Sequence, residues 1–349
     1  MTANPFLSVH FARASSQKGS ALLVALWVLL ILAVLLSSFA FDMHVEAAIT
    51  SHARKRLHAR AAAEGGVAYA SMLLAQSFKA NNIEEPDEVR EQMRQQAKRL
   101  NSSLRVSISD LSIGEAKVHI ELIPETGRRN VNHMTEEDWD LILEQGKIPL
   151  ELRTEMIDNL MDWIDDNDFR RLNGAESDDA FYSDRRYKTK NAQIDALEEL
   201  LWIKGFEPRF LYGGPGEGEE EVSSYPGIAH LLTVWGDDNQ VNINSASREV
   251  LLTLPGVTEE TVDDLLILRN GLDGVEGTPD DGFRDTEDAL SQIGIANPAF
   301  QERISVKRHP FVRLISIAEE DGVRAGIWTI LSVVPNDAIP VYWREEPLP

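Results

Sequence analysis

The strongest constraint on this chain is an uncharged apolar run at residues 20–41, SALLVALWVLLILAVLLSSFAF, which stops at Asp42. It holds neither Pro nor Gly. A bilayer core needs about 20 apolar residues in a helix, so the run predicts one transmembrane helix. The leader before it, MTANPFLSVHFARASSQKG, carries Arg13 and Lys18 and no acid. A secretory signal peptide is cut after its apolar core, and Ser37, Ser38 and Ala40 would serve that reading. The competing reading places processing ahead of the run, between Gly19 and Ser20. A basic cluster follows it: His52, Arg54, Lys55, Arg56, His58 and Arg60. By the positive-inside rule that flank would be cytoplasmic.

The remainder is acidic, with 57 Asp+Glu against 34 Lys+Arg and a formal net charge of -23. Such a surface repels polyanions and attracts cations. There is no cysteine, which removes disulfides, thiolate metal sites and cysteine nucleophiles. An oxidising compartment stays open, because a chain of this length buries its own core without staples. No G-x-S-x-G, H-E-x-x-H or phosphate-loop motif is present, and the eight His are scattered. Catalysis therefore has little footing, and its best remaining form is a membrane-anchored metallohydrolase using the Asp clusters.

Residues 42–80 continue in helical composition, with Gly65-Gly66 as a weak point. A second, charged helix is expected over 86–100. Residues 104–111 and 116–123 alternate apolar and polar around a turn at Gly114, and 311–320 and 324–335 do so around Asp321-Gly322. Between these strand pairs, WDLILEQG, LRTEMIDNLMDWIDDND and IDALEELLWIKG show the three-to-four apolar spacing of helices. The pattern predicts one sheet built from both ends of the sequence, interrupted by a helical insertion. Residues 213–224, GGPGEGEEEVSS, read as an exposed loop.

Gln17-Lys18-Gly19-Ser20, followed at once by the apolar run, resembles the class III leader of type IV pilins and pseudopilins. In that family a prepilin peptidase cuts after the glycine and methylates the new N-terminus, so the resemblance implies Gly19 and Ser20 as processing residues. Ordinary pilins carry glutamate at the fifth mature position; here it is Val24. Loss of that glutamate resembles the K family of minor pseudopilins of type II secretion systems, which sit at the filament tip. Over residues 130–212 the same family is resembled again. The matching residues are Asp162-Trp163-Ile164-Asp165-Asp166, Gly174-Ala175-Glu176, Tyr182, Asn191-Ala192, Leu197, Glu199-Leu200, Ile203 and Gly205.

The resemblance implies an α+β fold: a pilin-like N-terminal transmembrane helix plus an antiparallel sheet, with a large inserted all-α domain containing a degenerate helix-hairpin-helix (SAM-like). The implied division is a prepilin leader (1–19), a transmembrane helix (20–41), a pilin-like head (42–128 and 306–349) and the inserted helical domain (129–305). It further implies a non-enzymatic subunit that caps the pseudopilus and helps start its assembly. The anchor would lie in the bacterial inner membrane, with the head in the periplasm. The implied partners are minor pseudopilins I and J, other pseudopilins, the prepilin peptidase, the secretin and exported substrates, with no nucleic acid.

Two acidic segments are candidate sites for structural Ca²⁺, a hard cation that takes six to eight oxygen ligands. Asp162, Asp165 and Asp168 lie near a helix end, where clustered negative charge opposes the helix dipole; Glu176 follows them. The second segment, 273–288, interleaves Asp273, Glu276, Asp280, Asp281 and Asp285 with turn-forming glycines. It lacks EF-hand spacing but resembles the calcium loop of the major pseudopilin. For both, the bland alternative is a solvated acidic turn. Asn242-Ile243-Asn244-Ser245-Ala246, Leu251 to Val257 and Leu265 to Arg269 form a helix-hairpin-helix pattern. Phosphate binding there needs supporting cations, and Glu259, Glu260, Asp263 and Asp264 follow instead. Packed helices are the expectation, and a DNA-binding competence or pilus protein is the alternative.

Overall fold

The computed structural model describes residues 18–77, 105–216, 224–276, 278, 280–295, 297–307, 310–334 and 337–346. The helix expected over 86–100, most of the leader and residues 217–223 of the acidic loop lie outside these. The chain divides into two compact units, Met1–Leu57 and His58–Pro349.

Helix α1 runs Lys18–Ser77. Its residues 21–50 are exposed throughout, including Leu22 at 76%, Trp27 at 64% and Leu36 at 68%. Large apolar side chains at such exposure belong against lipid or other apolar helices, not water. Among the described residues, α1 is the helix long and apolar enough to cross a membrane.

The second unit contains two separate cores. In one, the small residues Ala62, Ala63, Val67 and Ala70 of α1, with Leu73 and Leu74, pack on one face of a five-stranded antiparallel sheet. Its strands are β1 (Val106–Ile113), β2 (Ala116–Pro124), β3 (Phe311–Glu320), β4 (Val323–Val334) and β5 (Asp337–Glu346), in that spatial order. The period-two alternation is explicit in β2, where Val118, Ile120 and Leu122 are buried and Lys117 is exposed. Strand β2 pairs directly with β3, Lys117 opposite Glu319, although the whole insertion separates them in sequence.

Strand β5 is absent from the sequence reading, which ends the sheet with two pairs. Pro340 breaks its pattern, and a proline demotes a run to an edge strand or bulge. Both conditions hold: β5 is the edge, and its pairing shifts between Ile330 opposite Tyr342 and Leu331 opposite Pro340.

The other core lies within residues 131–304 and is helical. It contains α2 (Glu136–Gln145), α3 (Leu150–Ile164), α4 (Ala180–Arg185), α5 (Pro208–Tyr212), α6 (Arg248–Leu251), α7 (Glu259–Arg269), α8 (Thr286–Ile293) and α9 (Pro298–Arg303). Helix α2 starts on a capping box, with Thr135 and Asp138 each satisfying the other's backbone N–H. The α-helix expected at 194–205 is instead a 3-10 helix over Leu197–Trp202, which is only six residues long and has no side-chain cap.

Candidate functional site

Helix α3 buries Met156, Ile157, Leu160 and Trp163, and so aims Asn159 and Asp162 inward as well. The Asn159 side-chain amide donates to the Lys204 carbonyl at 3.1 Å. The Trp163 ring stands 5.8 Å from Tyr182 and 6.2 Å from Tyr187. Burial pushes the Tyr182 phenol up to about 12.

The buried Asp162 carboxylate accepts the Arg171 backbone N–H at 3.2 Å. Gly174 lies so close that a Cβ there would stand 1.9 Å from Asp162 Oδ2, which is why a glycine precedes Ala175 and Glu176. Asp165 closes a turn on Asn167, and Asp168 accepts from the Asn191 amide at 3.0 Å. Asn191 also donates its backbone N–H to the Trp163 carbonyl at 2.9 Å. The residues of the family-like pattern over 130–212 thus converge on one knot of packing.

Glu176 accepts from Thr189 Oγ1 at 3.1 Å through Oε2, while its Oε1 is buried without a hydrogen-bond partner. The carboxyls of Asp162 and Glu176 are both shifted upward. Burial is the largest cause in each, and the neighbouring acids add to it, against the N–H and the charge of Arg171 for Asp162 and against the Thr189 hydroxyl for Glu176. An orphaned carboxylate oxygen among mutually repelling acids is what a hard cation would complete.

In the second segment, Asp273, Asp280 and Asp281 converge on Thr278 Oγ1 at 3.3, 2.7 and 3.2 Å. One hydroxyl proton cannot serve three carboxylates, and the same cation logic applies. Asp285 is otherwise engaged, capping α8 by accepting the Asp288 N–H at 2.7 Å. Glu276 acts with Asp281 on the Arg269 guanidinium, which donates to the Ile243 and Ala246 carbonyls. Among the described residues, no three His, Asp or Glu side chains are already gathered as a metal-ligand set.

The hairpin pattern forms α6 and α7, joined through a turn that Asn297 covers by donating to the Pro255 carbonyl at 3.2 Å. Arg248 is paired with Asp263 at 3.0 Å and with Glu259 at 3.6 Å, so this cation of the hairpin is neutralised.

One buried network was not legible as a set. Arg129, fully buried, meets Asp138 at 2.6 Å and donates to the Thr253 carbonyl at 2.7 Å. Asp138 also accepts from Asn239 at 2.7 Å and Arg303 at 3.2 Å. Burial would raise the Asp138 carboxyl, but Arg129, the Thr135 N–H and the Asn239 amide hold it well below the usual carboxylate range. The network ties the entry of the inserted region to its exit. No local pattern groups these residues, which lie as far apart in sequence as Arg129 and Arg303.

Residues 120–212 match the family model for type II secretion system protein K. The fold is similar to that of a chain in the GspK-GspI-GspJ complex of the enterotoxigenic Escherichia coli type 2 secretion system. That likeness has a TM-score of 0.57 at 14% identity, and covers 86% of this chain and 99% of that one. No curated protein matches the sequence significantly. Residues 120–212 are thus similar to the first domain of type II secretion system protein K, and they lie within a fold similar to that of a chain in the GspK-GspI-GspJ complex.

Proposed function

We propose that the protein caps the tip of the pseudopilus and helps start its assembly, in a structural rather than catalytic role. The family domain over residues 120–212, set in a fold like that of GspK from a GspK-GspI-GspJ complex, carries this reading. Cleavage after Gly19 frees Ser20 for methylation. The apolar helix then holds the chain in the inner membrane, head in the periplasm, until it packs against other pseudopilin helices. Val24 supports the terminal position. A glutamate in an apolar helix stack needs a cationic partner from the next subunit, and a subunit with nothing stacked above it has no use for one. The bulk of the inserted region, on a pilin-like sheet, also suits an end rather than a repeat.

Minor pseudopilins I and J are the expected partners, with the secretin and exported proteins beyond them. Structural Ca²⁺ is assigned to the Asp162–Glu176 knot, on the orphaned Glu176 oxygen, and to the Asp273–Asp281 loop, on its convergent carboxylates. The test is co-expression with the I and J subunits of the same secretion system. A stable three-component complex, and restored export in a strain deleted for this gene, support the proposal. Export without this chain, or failure of the three to associate, overturns it.

A further inference from the structure

In β3 and β4, Val312, Leu314, Ile327, Leu331 and Val333 face α1, so Arg313 and Trp328 stand on the opposite face of the sheet. Trp328 is opposite Arg344, and Ile330 is opposite both Arg313 and Tyr342. There a cavity of about 280 Å³ opens between the sheet and the inserted region, whose Tyr212, His230 and Trp235 complete the wall with Arg128. The aromatic lining is ordered: Trp328 and Tyr342 are 4.7 Å apart, nearly perpendicular, and the Arg313 guanidinium lies 4.7 Å over Trp328.

The charges in this cavity are not all matched. Glu125, fully buried, is taken by Arg313 and by Thr233 Oγ1. Asp195, on the rim, is exposed and paired with Lys190 at 2.7 Å; Glu198, also on the rim, is exposed. Among the described residues no carboxylate is ion-paired or hydrogen-bonded to the Arg128 guanidinium. Its pKa is pushed down to about 10, by burial first and, against the pull of Glu125, by Arg313 and Arg105. His230 is also pushed down, by burial first and then by Arg128 against Glu249, so it adds no competing charge at neutral pH. The half-buried Arg128 guanidinium thus lines the cavity with no carboxylate bound to it, and an anionic guest would supply one.

We propose that this cavity binds a carboxylate carried on an apolar body, with Arg128 holding the anion and Trp328, Tyr342 and Trp235 the apolar part. The volume suits about one large terminal residue rather than a folded segment, so a polypeptide C-terminus is the fitting macromolecular source. Guanidinium recognises a planar carboxylate better than an ammonium does, and stacks on aromatic walls as well.

The test is calorimetric titration of the full chain in detergent with N-acetyl-Ala-Phe bearing a free carboxylate, with its C-terminal amide, and with inorganic phosphate. The acid is expected to bind at least tenfold more tightly than the amide or phosphate. Arg128→Gln is expected to lose at least tenfold in affinity while melting no lower than the parent, since it removes a half-buried charge that no carboxylate pairs. Arg128→Lys keeps the charge and is expected to retain binding within a few fold, which guards against misfolding of the Gln variant. Equal binding of acid and amide, phosphate binding as tightly as the acid, no binding at all, or undiminished binding by Arg128→Gln would each overturn the proposal.

Discussion

Gly66 is the sharpest test of how the head is put together. A Cβ at this position would stand 2.3 Å from Ser316 Oγ and 2.9 Å from Val118 Cγ1, both on the sheet. Ser316 is fully buried, and its hydroxyl donates to the Ala63 carbonyl of α1 at 2.9 Å. In a free helix, Gly→Ala gains about 1 kcal/mol. Here the helix or Ser316 must give way, and overpacking costs about 1–3 kcal/mol. Loss of the Ser316 bond, leaving a buried hydroxyl unpaired, adds about 1–3 kcal/mol. The balance for Gly66→Ala is a loss of about 1–5 kcal/mol, read as a lower denaturation midpoint of the full chain in detergent. The neighbouring Gly65 is the control. Its Cβ would meet only the flexible Ile113 side chain, at 3.0 Å, so Gly65→Ala is expected to be neutral or stabilising by up to about 1 kcal/mol. Equal stabilisation by both alanines would refute the seating of α1 on the sheet.

Asp138→Asn leaves the buried Arg129 without its counter-charge, and is expected to cost about 3–5 kcal/mol in chemical denaturation. Because the folded-state Asp138 carboxyl is depressed, its contribution is full above the ordinary carboxylate pKa and is lost as pH falls through the folded value. The wild type, but not Asp138→Asn, should therefore lose that increment on acidification. Glu176 carries the opposite sign: its raised carboxyl contributes stability below its unfolded pKa, and that contribution is lost as pH rises through the folded one. Without divalent cations, Glu176→Gln should raise the melting temperature at neutral pH. In the wild type, millimolar Ca²⁺ should raise it instead, by about 2.7 kcal/mol of stability at a hundredfold excess over Kd. Asp280→Ala with Asp281→Ala should remove the share of the second loop, and a rise unchanged in both sets of variants would discard calcium. In a mobility-shift assay no salt-dependent DNA binding is expected, because Arg248 of the hairpin is already paired with acids.

The sheet was legible because its strands alternate with period two. Four of its five strands were read to within two residues at each end, and Pro340 hid the fifth. The helical spacing of α3 was equally clear, but Leu197–Trp202 carries the same spacing and tightens to a 3-10 turn, since periodicity does not report length or capping. Gly65-Gly66 read as a flaw in a helix, whereas Gly66 is the point of closest approach to the sheet; that purpose depends on Ser316, some 250 residues further along. Acidic segments were visible as charge, but not which carboxylate would be orphaned: Glu176 differs from Asp165 only in what surrounds it. The Arg128 cavity was invisible, because its walls come from stretches scattered between Arg128 and Arg344.

Processing of this chain as a pilin-like membrane subunit is read from the N-terminal sequence and mass of the protein recovered from membranes that contain its prepilin peptidase. The account predicts a methylated chain beginning at Ser20, lost when Gly19 is replaced. A chain starting beyond Ser37, or one retaining Met1, would contradict it.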